Sequence, residues 1–389
     1  MKKSLQKLFS VLFVLTGVLA FSACSSDDDG PKSYPVKVNL TFADTLSFDD
    51  ASHVQLFVTS QIGTDTFDLA SGTLDLILKQ GTYSFSVKGK MKDEANAYLS
   101  GLKANVPVYG EVAVEVPVAK VLESTLIIKT IYNNCAKMGY LKDTFLEIVN
   151  NSDEVQYLDG VIIYAPSGGQ SEVNAWQANG YLDVYPVGQG AVVQFPGTGK
   201  EHPLLPGQSV IVANDAANHK ELSGDEKCAD LSNADWEIYL DYHAAEVDYP
   251  NTPNLKVLWS NNKFVFAFGL GLSARAYVLA RLPEGMTGEA YAEDPASKMT
   301  TPGTASTTEY MVFPAKYTLD AVDVWDPNNE TPYPTFLPQD DKAGIPSGGI
   351  YSGTCERRKV SKVVNGRKYY QDTNNSAEDF LNGQPLVEQ

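Results

Sequence analysis

Histidine and cysteine are scarce in this chain, with four of each in 389 residues, and each scarcity excludes chemistry. Four imidazoles leave little room for histidine-based acid–base or nucleophilic catalysis, and no G-x-S-x-G elbow, H-E-x-x-H helix or P-loop occurs. Three of the cysteines, Cys135, Cys228 and Cys355, are widely spaced; they match no zinc motif and allow at most one disulfide. Basic residues are also short, 30 against 48 acids, for a formal net charge of −18. A field of that sign repels the phosphate backbone, which excludes nucleic acid as a partner. The apolar run from Leu8 to Ala20 is too short for a spanning helix. With Lys2, Lys3 and Lys7 before it, it reads as the apolar region of a secretory signal over residues 1–23. Its removal leaves 27 basic residues against 48 acids, a formal −21.

Tyrosine (21), glycine (30) and proline (21) are plentiful, which suits short strands joined by many turns. After an acidic tether at 24–32, residues 33–122 alternate apolar and polar. Val36, Val38, Leu40 and Phe42 form one period-two set, and Val54, Leu56 and Val58 another. Leu74 to Leu78 then leads through Gly81 into Thr82 to Val87, and Val106 to Val116 adds further strands. About ninety residues patterned in this way make one small sandwich with no catalytic group. His53, beside a strand, reads as surface chemistry.

Residues 123–389 form a larger unit organised around Tyr140 to Ala165. There, Asn150-Asn151-Ser152-Asp153 separates the apolar run ending at Val149 from Val161-Ile162-Ile163. Strands joined by so short a loop pair antiparallel or pass between sheets. Leu205 to Asp215 reads as a turn and a buried strand, and Asn365-Gly366 as a hairpin tip needing positive φ. Ser376 with Asp379 reads as the cap of a short helical turn. Three long insertions, at about 166–203, 220–262 and 283–350, carry all four tryptophans, and long loops on a rigid sandwich are where binding usually resides.

Several of these stretches resemble known families. Phe21-Ser22-Ala23-Cys24 resembles a bacterial lipobox, which implies acylation of Cys24 as the first mature residue. Ser26-Asp27-Asp28-Asp29-Gly30 just after it resembles the signal that sends Bacteroidetes lipoproteins to the outer face of the outer membrane. Leu78-x-x-Gly81-x-Tyr83-x-x-x-Val87 is similar to the last hairpin of transthyretin-like or carboxypeptidase-regulatory-like sandwiches, and Asp44-Thr45-Leu46 to a short O-glycosylation site of secreted proteins. The motifs at Phe145–Ser152 with Tyr157–Val161, Leu205–Asp215 and Gln371–Phe380 resemble a lamin-tail, immunoglobulin-like sandwich. As a set they resemble an uncharacterised Bacteroidetes lipoprotein family, classed as a domain of unknown function and typically encoded beside TonB-dependent receptors. The expected fold is therefore all-β, a small N-terminal sandwich followed by a lamin-tail-like sandwich with long insertions.

Candidate sites each have a bland counterpart. Gly269-Leu270-Gly271-Leu272-Ser273-Ala274 matches a dinucleotide fingerprint, but the strand-like Ala276–Ala280 after it favours a hairpin turn. His202, His219 and His243 lack the spacing of a metal motif, although Asp241, Glu246 and Asp248 near His243 keep a transition-metal site open. Asp320, Asp323, Asp326 and Glu330 bring enough oxygens for calcium or form a solvated acidic loop. Trp176, Trp236, Tyr242 and Trp259 are candidates to stack on sugar or peptide, or to pack beneath their own loops. Arg357 and Arg358 begin a basic stretch suited to an anionic ligand or an acidic partner, or else to protecting a sheet edge.

The expectation is thus a non-catalytic, lipid-anchored protein on the cell surface, held in the outer membrane. It would serve a TonB-dependent nutrient uptake system by binding a nutrient or glycan or by docking on the receptor. A structural or adhesive surface protein is the second reading. An extracellular hydrolase is the third, and would need two carboxylates or a His–Asp pair converging in one pocket.

Overall fold

The computed structural model describes residues 32–386, apart from 43–45, 61, 94–96, 123, 168–171, 189, 261, 265–267 and 269–273. Cys24, the acidic run Ser26–Gly30, Asp44-Thr45 and Gly269 to Ser273 lie outside the described residues. Among the described residues no helix is long and apolar enough to cross a membrane.

The first seven strands are β1 (Ser33–Phe42), β2 (Ala51–Ser60), β3 (Gly63–Asp68), β4 (Thr73–Lys79), β5 (Gly81–Met91), β6 (Ala97–Val108) and β7 (Val112–Leu122). They form one sheet in the order β3-β2-β5-β6-β7-β1-β4, with only β1 and β7 parallel. Alternate residues of β1 (Val36, Val38, Leu40), β5 (Tyr83, Phe85, Val87) and β7 (Val114, Val116, Val118) enter a single apolar cluster that also takes Leu56 and Val58 of β2 and Leu78 of β4. Strands from both ends of a seven-stranded sheet share one core only if the sheet curls over itself, as twisted sheets do. His53 sits in β2 at φ 51, where a bulge shifts the register between Ser52 and Gln55 and returns Val54 to the core.

The chain continues with β8 (Leu126–Tyr132), β9 (Phe145–Asn150), β10 (Gln156–Tyr157), β11 (Ile162–Tyr164), α1 (Ala175–Ala178), β12 (Val184–Pro186), β13 (Ala191–Gln194), β14 (Pro203–Leu204) and β15 (Ser209–Ala213). Next come α2 (His219–Ser223), β16 (Trp236–Glu237), β17 (Lys256–Ser260), β18 (Arg275–Ala280), α3 (Gly288–Glu293), β19 (Lys298–Thr300), β20 (Glu309–Pro314) and β21 (Thr318–Trp325). The last elements are β22 (Ile345–Pro346), β23 (Cys355–Arg358), β24 (Val360–Val364), β25 (Arg367–Tyr370), α4 (Ser376–Asp379) and β26 (Phe380–Gln384).

Two six-stranded sheets pack face to face, β16-β15-β9-β8-β23-β26 against β17-β13-β11-β18-β21-β22. Ile128, Leu146 and Val212 from one meet Ile163, Tyr277 and Val322 from the other in the main core. Both outer faces are covered as well. Sheet β12-β20-β19 lies over Ile162, Tyr164 and Val278, the 216–231 segment over Tyr132 and Phe145, and Tyr370 of the β24–β25 hairpin over Ile127 and Val149. Covering both faces explains why β8 is buried at six of its seven positions and does not alternate.

The loop after β9 carries the chain from one sheet to the facing one. Asn150 Nδ2 donates to Glu154 O (2.7 Å) and Leu204 O (2.8 Å), and Asn151 exchanges two bonds with the backbone of Tyr370. Asn365 (φ 52) and Gly366 (φ 82) form the tip of the β24–β25 hairpin. The capping expectation at Ser376 is corrected. The N-cap of α4 is Asn375, while the Ser376 amide and hydroxyl go to Asp341 (2.8 and 2.6 Å) and Asp379 accepts from Thr373 (2.8 Å). The neighbouring Asn374 reaches the first unit, donating to the Tyr98 hydroxyl (2.8 Å), and Lys88 donates to Thr373 O (3.1 Å).

Candidate functional site

The structure does not bring the candidate aromatic residues together on a binding face. Trp176, 3% exposed, packs edge-on against Tyr310 under the α1 loop. Trp236, 6% exposed, sits between Phe195 and His202 in the main core. Tyr242 and Trp259 are partly buried against the two large clusters. The packing alternative therefore holds for Trp176 and Trp236, while Tyr242 and Trp259 stay partly exposed.

The acidic candidates are likewise not one calcium loop. Asp320 and Asp323 lie on β21, three residues apart, so strand alternation sends them to opposite faces. Asp323 accepts from Thr335 N (2.9 Å), Asp326 accepts from Asn328 N (2.9 Å) in a turn beyond the strand, and Glu330 is exposed. Asp320 instead meets Arg358. This buried guanidinium reaches Asp320 (2.8 Å), Asp372 (3.1 Å) and Asp379 (3.6 Å), donates to Ile128 O (2.8 Å) and lies over the Phe380 ring. Burial pushes the carboxyls of Asp320 and Asp372 up, and one guanidinium shared among three acids offsets this only in part. Arg357 donates to Pro385 O and Leu386 O, and Arg367 to Asp153 and Ser152. These arginines are structural ties within the chain and not a free anion site.

Polar side chains gather at the end of the sandwich where β8 and β15 exit and β9 enters. The row Tyr132–Phe145–Ala213 is followed by Asn133, Thr144 and Asn214, all fully buried, with the Asn133 amide donating to the Tyr277 hydroxyl across the sheets (3.1 Å). On the outer side, Asp143 accepts from the Tyr132 hydroxyl (2.9 Å) and Ala229 N (3.3 Å). His219 Nε2 meets Asp215 O (3.0 Å), so that nitrogen donates and Nδ1 is left to accept the Tyr140 hydroxyl (2.6 Å). Lys142 pairs with Asp215 (3.1 Å). Burial pushes up the hydroxyls of Tyr132 and Tyr140 and the thiols of Cys135, Cys228 and Cys355. All three thiols are free and buried, and protonated thiols are poor nucleophiles. This end is built for rigidity. It holds its tyrosine hydroxyls and cysteine thiols in their neutral forms.

A different arrangement lies at the β10–β14 pair, where Gln156 faces Leu204 and Tyr157 faces Pro203. That register sets the Asp159-Gly160 turn (Gly160 φ 73) against residues 197–202. The Asp159 carboxylate accepts from Gly199 N (3.2 Å), Glu201 N (2.9 Å) and His202 N (2.8 Å). Burial alone would raise its pKa, but these backbone donors outweigh burial and lower it, so the group is ionised. Gly197 (φ 113) fits so closely that a Cβ there would lie 2.1 Å from Asp159 Oδ1. Oxygens of Asp159 and Glu201 and a ring nitrogen of His202 all lie within 4.8 Å of one another. The sequence showed Asp159 only as part of a turn motif and His202 only as one isolated imidazole. Nothing local links positions 42 and 43 residues apart; the pairing of two two-residue strands does. Among the described residues, neither His219 nor His243 joins such a group.

No curated protein matches the chain. Among solved structures it is similar to a DUF4876 family protein from Bacteroides thetaiotaomicron VPI-5482, with 25% identity and a TM-score of 0.60, over 91% of this chain and 96% of that one. Residues 205–386 hold α2, the Arg358 ion cluster and the closing turn at α4, and they match the family described as protein of unknown function (DUF4876).

Proposed function

We propose that this chain is a non-catalytic, lipid-anchored protein of the outer membrane, exposed at the cell surface, and that it acts as a ligand-binding or accessory subunit of a TonB-dependent nutrient uptake system. The observation that carries the reading is Phe21-Ser22-Ala23-Cys24, set after three lysines and an apolar run and before Ser26-Asp27-Asp28-Asp29-Gly30. Acyl chains on Cys24 anchor firmly, at about 0.8 kcal/mol for each buried methylene. A strong negative field outside the cell keeps the protein off anionic surfaces and nucleic acid, leaving neutral ligands or a membrane receptor as partners. The similarity to a Bacteroides protein supports the choice of envelope.

The test is metabolic labelling with an alkyne fatty acid in cells producing the full chain or Cys24→Ser, followed by protease treatment of intact cells and affinity purification from outer membranes. The reading expects label on the wild type alone, digestion by external protease, and recovery of a TonB-dependent receptor. An unlabelled wild type, or label retained by Cys24→Ser, removes the anchor. Recovery of no receptor removes the transport role.

A further inference from the structure

We propose that Asp159, Glu201 and His202 form a binding site for one divalent transition-metal ion of the zinc class. The donor atoms lie within 4.8 Å of one another. Ligand bonds of about 2.0–2.2 Å at tetrahedral angles place donors roughly 3.3–3.6 Å apart, so closure asks for movements of up to about 1.5 Å. Glu201 is exposed and supplies that movement. The Asp159 carboxylate needs none, because three backbone N–H groups already fix it.

The imidazole makes this more than a pair of surface acids. The His202 ring is held edge-on by Trp236, centroids 4.9 Å apart, while neither ring nitrogen has a hydrogen-bond partner among the described residues. Packing fixes the ring's orientation and leaves one nitrogen for a metal and the other for solvent. Glu201 binds Thr198 N and Oγ1 through Oε1 alone (3.1 and 2.6 Å), which leaves Oε2. The Arg281 guanidinium, held by Tyr157 O (2.6 Å), interacts with Asp159 from a distance and forms no ion pair with it among the described residues. Two carboxylates and one imidazole suit zinc or manganese-to-nickel ions; calcium and magnesium take oxygen donors and gain nothing from His202. A bound ion would tie the 158–160 turn to the 197–202 loop. This inference stands whether or not the chain is membrane-anchored.

The test is calorimetric titration of the EDTA-treated full chain with zinc chloride, with His202→Ala and Glu201→Gln beside the wild type and near-UV circular dichroism to verify their folding. The expected result is one saturable zinc site, a melting temperature that rises with zinc concentration, and at least about tenfold weaker binding in each variant. No saturable binding by the wild type overturns the proposal, and so does unchanged affinity in both variants. Should His202→Ala fail to fold, exposed Glu201 decides alone: unchanged zinc affinity in Glu201→Gln refutes the site.

Discussion

Glu356 turns pH into a direct measure of what burial costs this fold. It is fully buried at the start of β23, and its Oε1 accepts from Gly348 N (2.8 Å) and Asn134 Nδ2 (2.9 Å), while Oε2 has no hydrogen-bond partner among the described residues. Burial pushes its carboxyl from the usual 4.5 up to about 7, the two hydrogen bonds recovering only part of the shift. A carboxyl raised in the folded state binds its proton more tightly there than in the unfolded chain. Its contribution is therefore complete below about pH 4.5 and is lost as pH rises through about 7. Between pH 5 and 8.5 the loss is about 2–3 kcal/mol. Glu356→Gln keeps the acceptor and removes the titration. At any one pH an unpaired amide offsets part of the gain, by about 1–3 kcal/mol, so the informative quantity is the difference between the two pH values. All four tryptophans lie in the second unit, so urea unfolding followed by their fluorescence reports on the right transition. The stability of Glu356→Gln relative to wild type should improve by about 2–3 kcal/mol between pH 5 and pH 8.5. An unchanged difference, or one of the opposite sign, would refute the argument that this carboxyl is held protonated.

Three further outcomes follow from packing. Arg358→Met leaves Asp320, Asp372 and Asp379 without their shared cation and should cost about 3–5 kcal/mol, more at pH 8.5 than at pH 5, in the same fluorescence assay. Gly197→Ala places a methyl group 2.1 Å from Asp159 Oδ1 at φ 113 and should cost on the order of 2 kcal/mol in calorimetry, whereas Gly199→Ala meets no neighbouring atom and bears only its backbone strain. Tyr98→Phe removes the acceptor of the Asn374 amide between the two units and should cost about 1 kcal/mol, read as a lower urea midpoint; an unchanged midpoint would make that contact incidental.

The all-β fold was legible where a pattern is local. Val36–Val38–Leu40 alternates because only one face of β1 is buried, and Asn365-Gly366 names its turn because few residues accept positive φ. The motif at 371–380 was visible as a motif, but its purpose was not. Asp372 and Asp379 are there for Arg358, which sequence reading placed in an exposed basic stretch. Counting charge along the chain cannot distinguish an arginine that faces water from one that faces three carboxylates, since the partners come from β21 and the closing turn. The tryptophans failed for a related reason. An insertion rich in rings predicts an exposed face only if the loop has nothing beneath it, and these loops cover both outer faces of a sandwich.

That difference bears on where binding can reside. Trp176 and Trp236 are used for packing, the arginines for internal ties, and the tyrosine hydroxyls and thiols at the β8–β9 end are held neutral by burial. Each of these groups has lost the exposure or the charge that recognition needs. The Asp159 turn differs in three respects. Its carboxylate is kept ionised, its glutamate reaches solvent and its imidazole has no hydrogen-bond partner among the described residues. The three backbone N–H groups already use the Asp159 charge to hold the turn, so what packing leaves over is the exposed Glu201 carboxylate and the His202 ring. The loop from Gly197 to His202 is therefore where this fold leaves one carboxylate oxygen and one imidazole over from its own hydrogen bonding, and zinc affinity lost in Glu201→Gln without loss of stability is the result that would separate a ligand from an anchor.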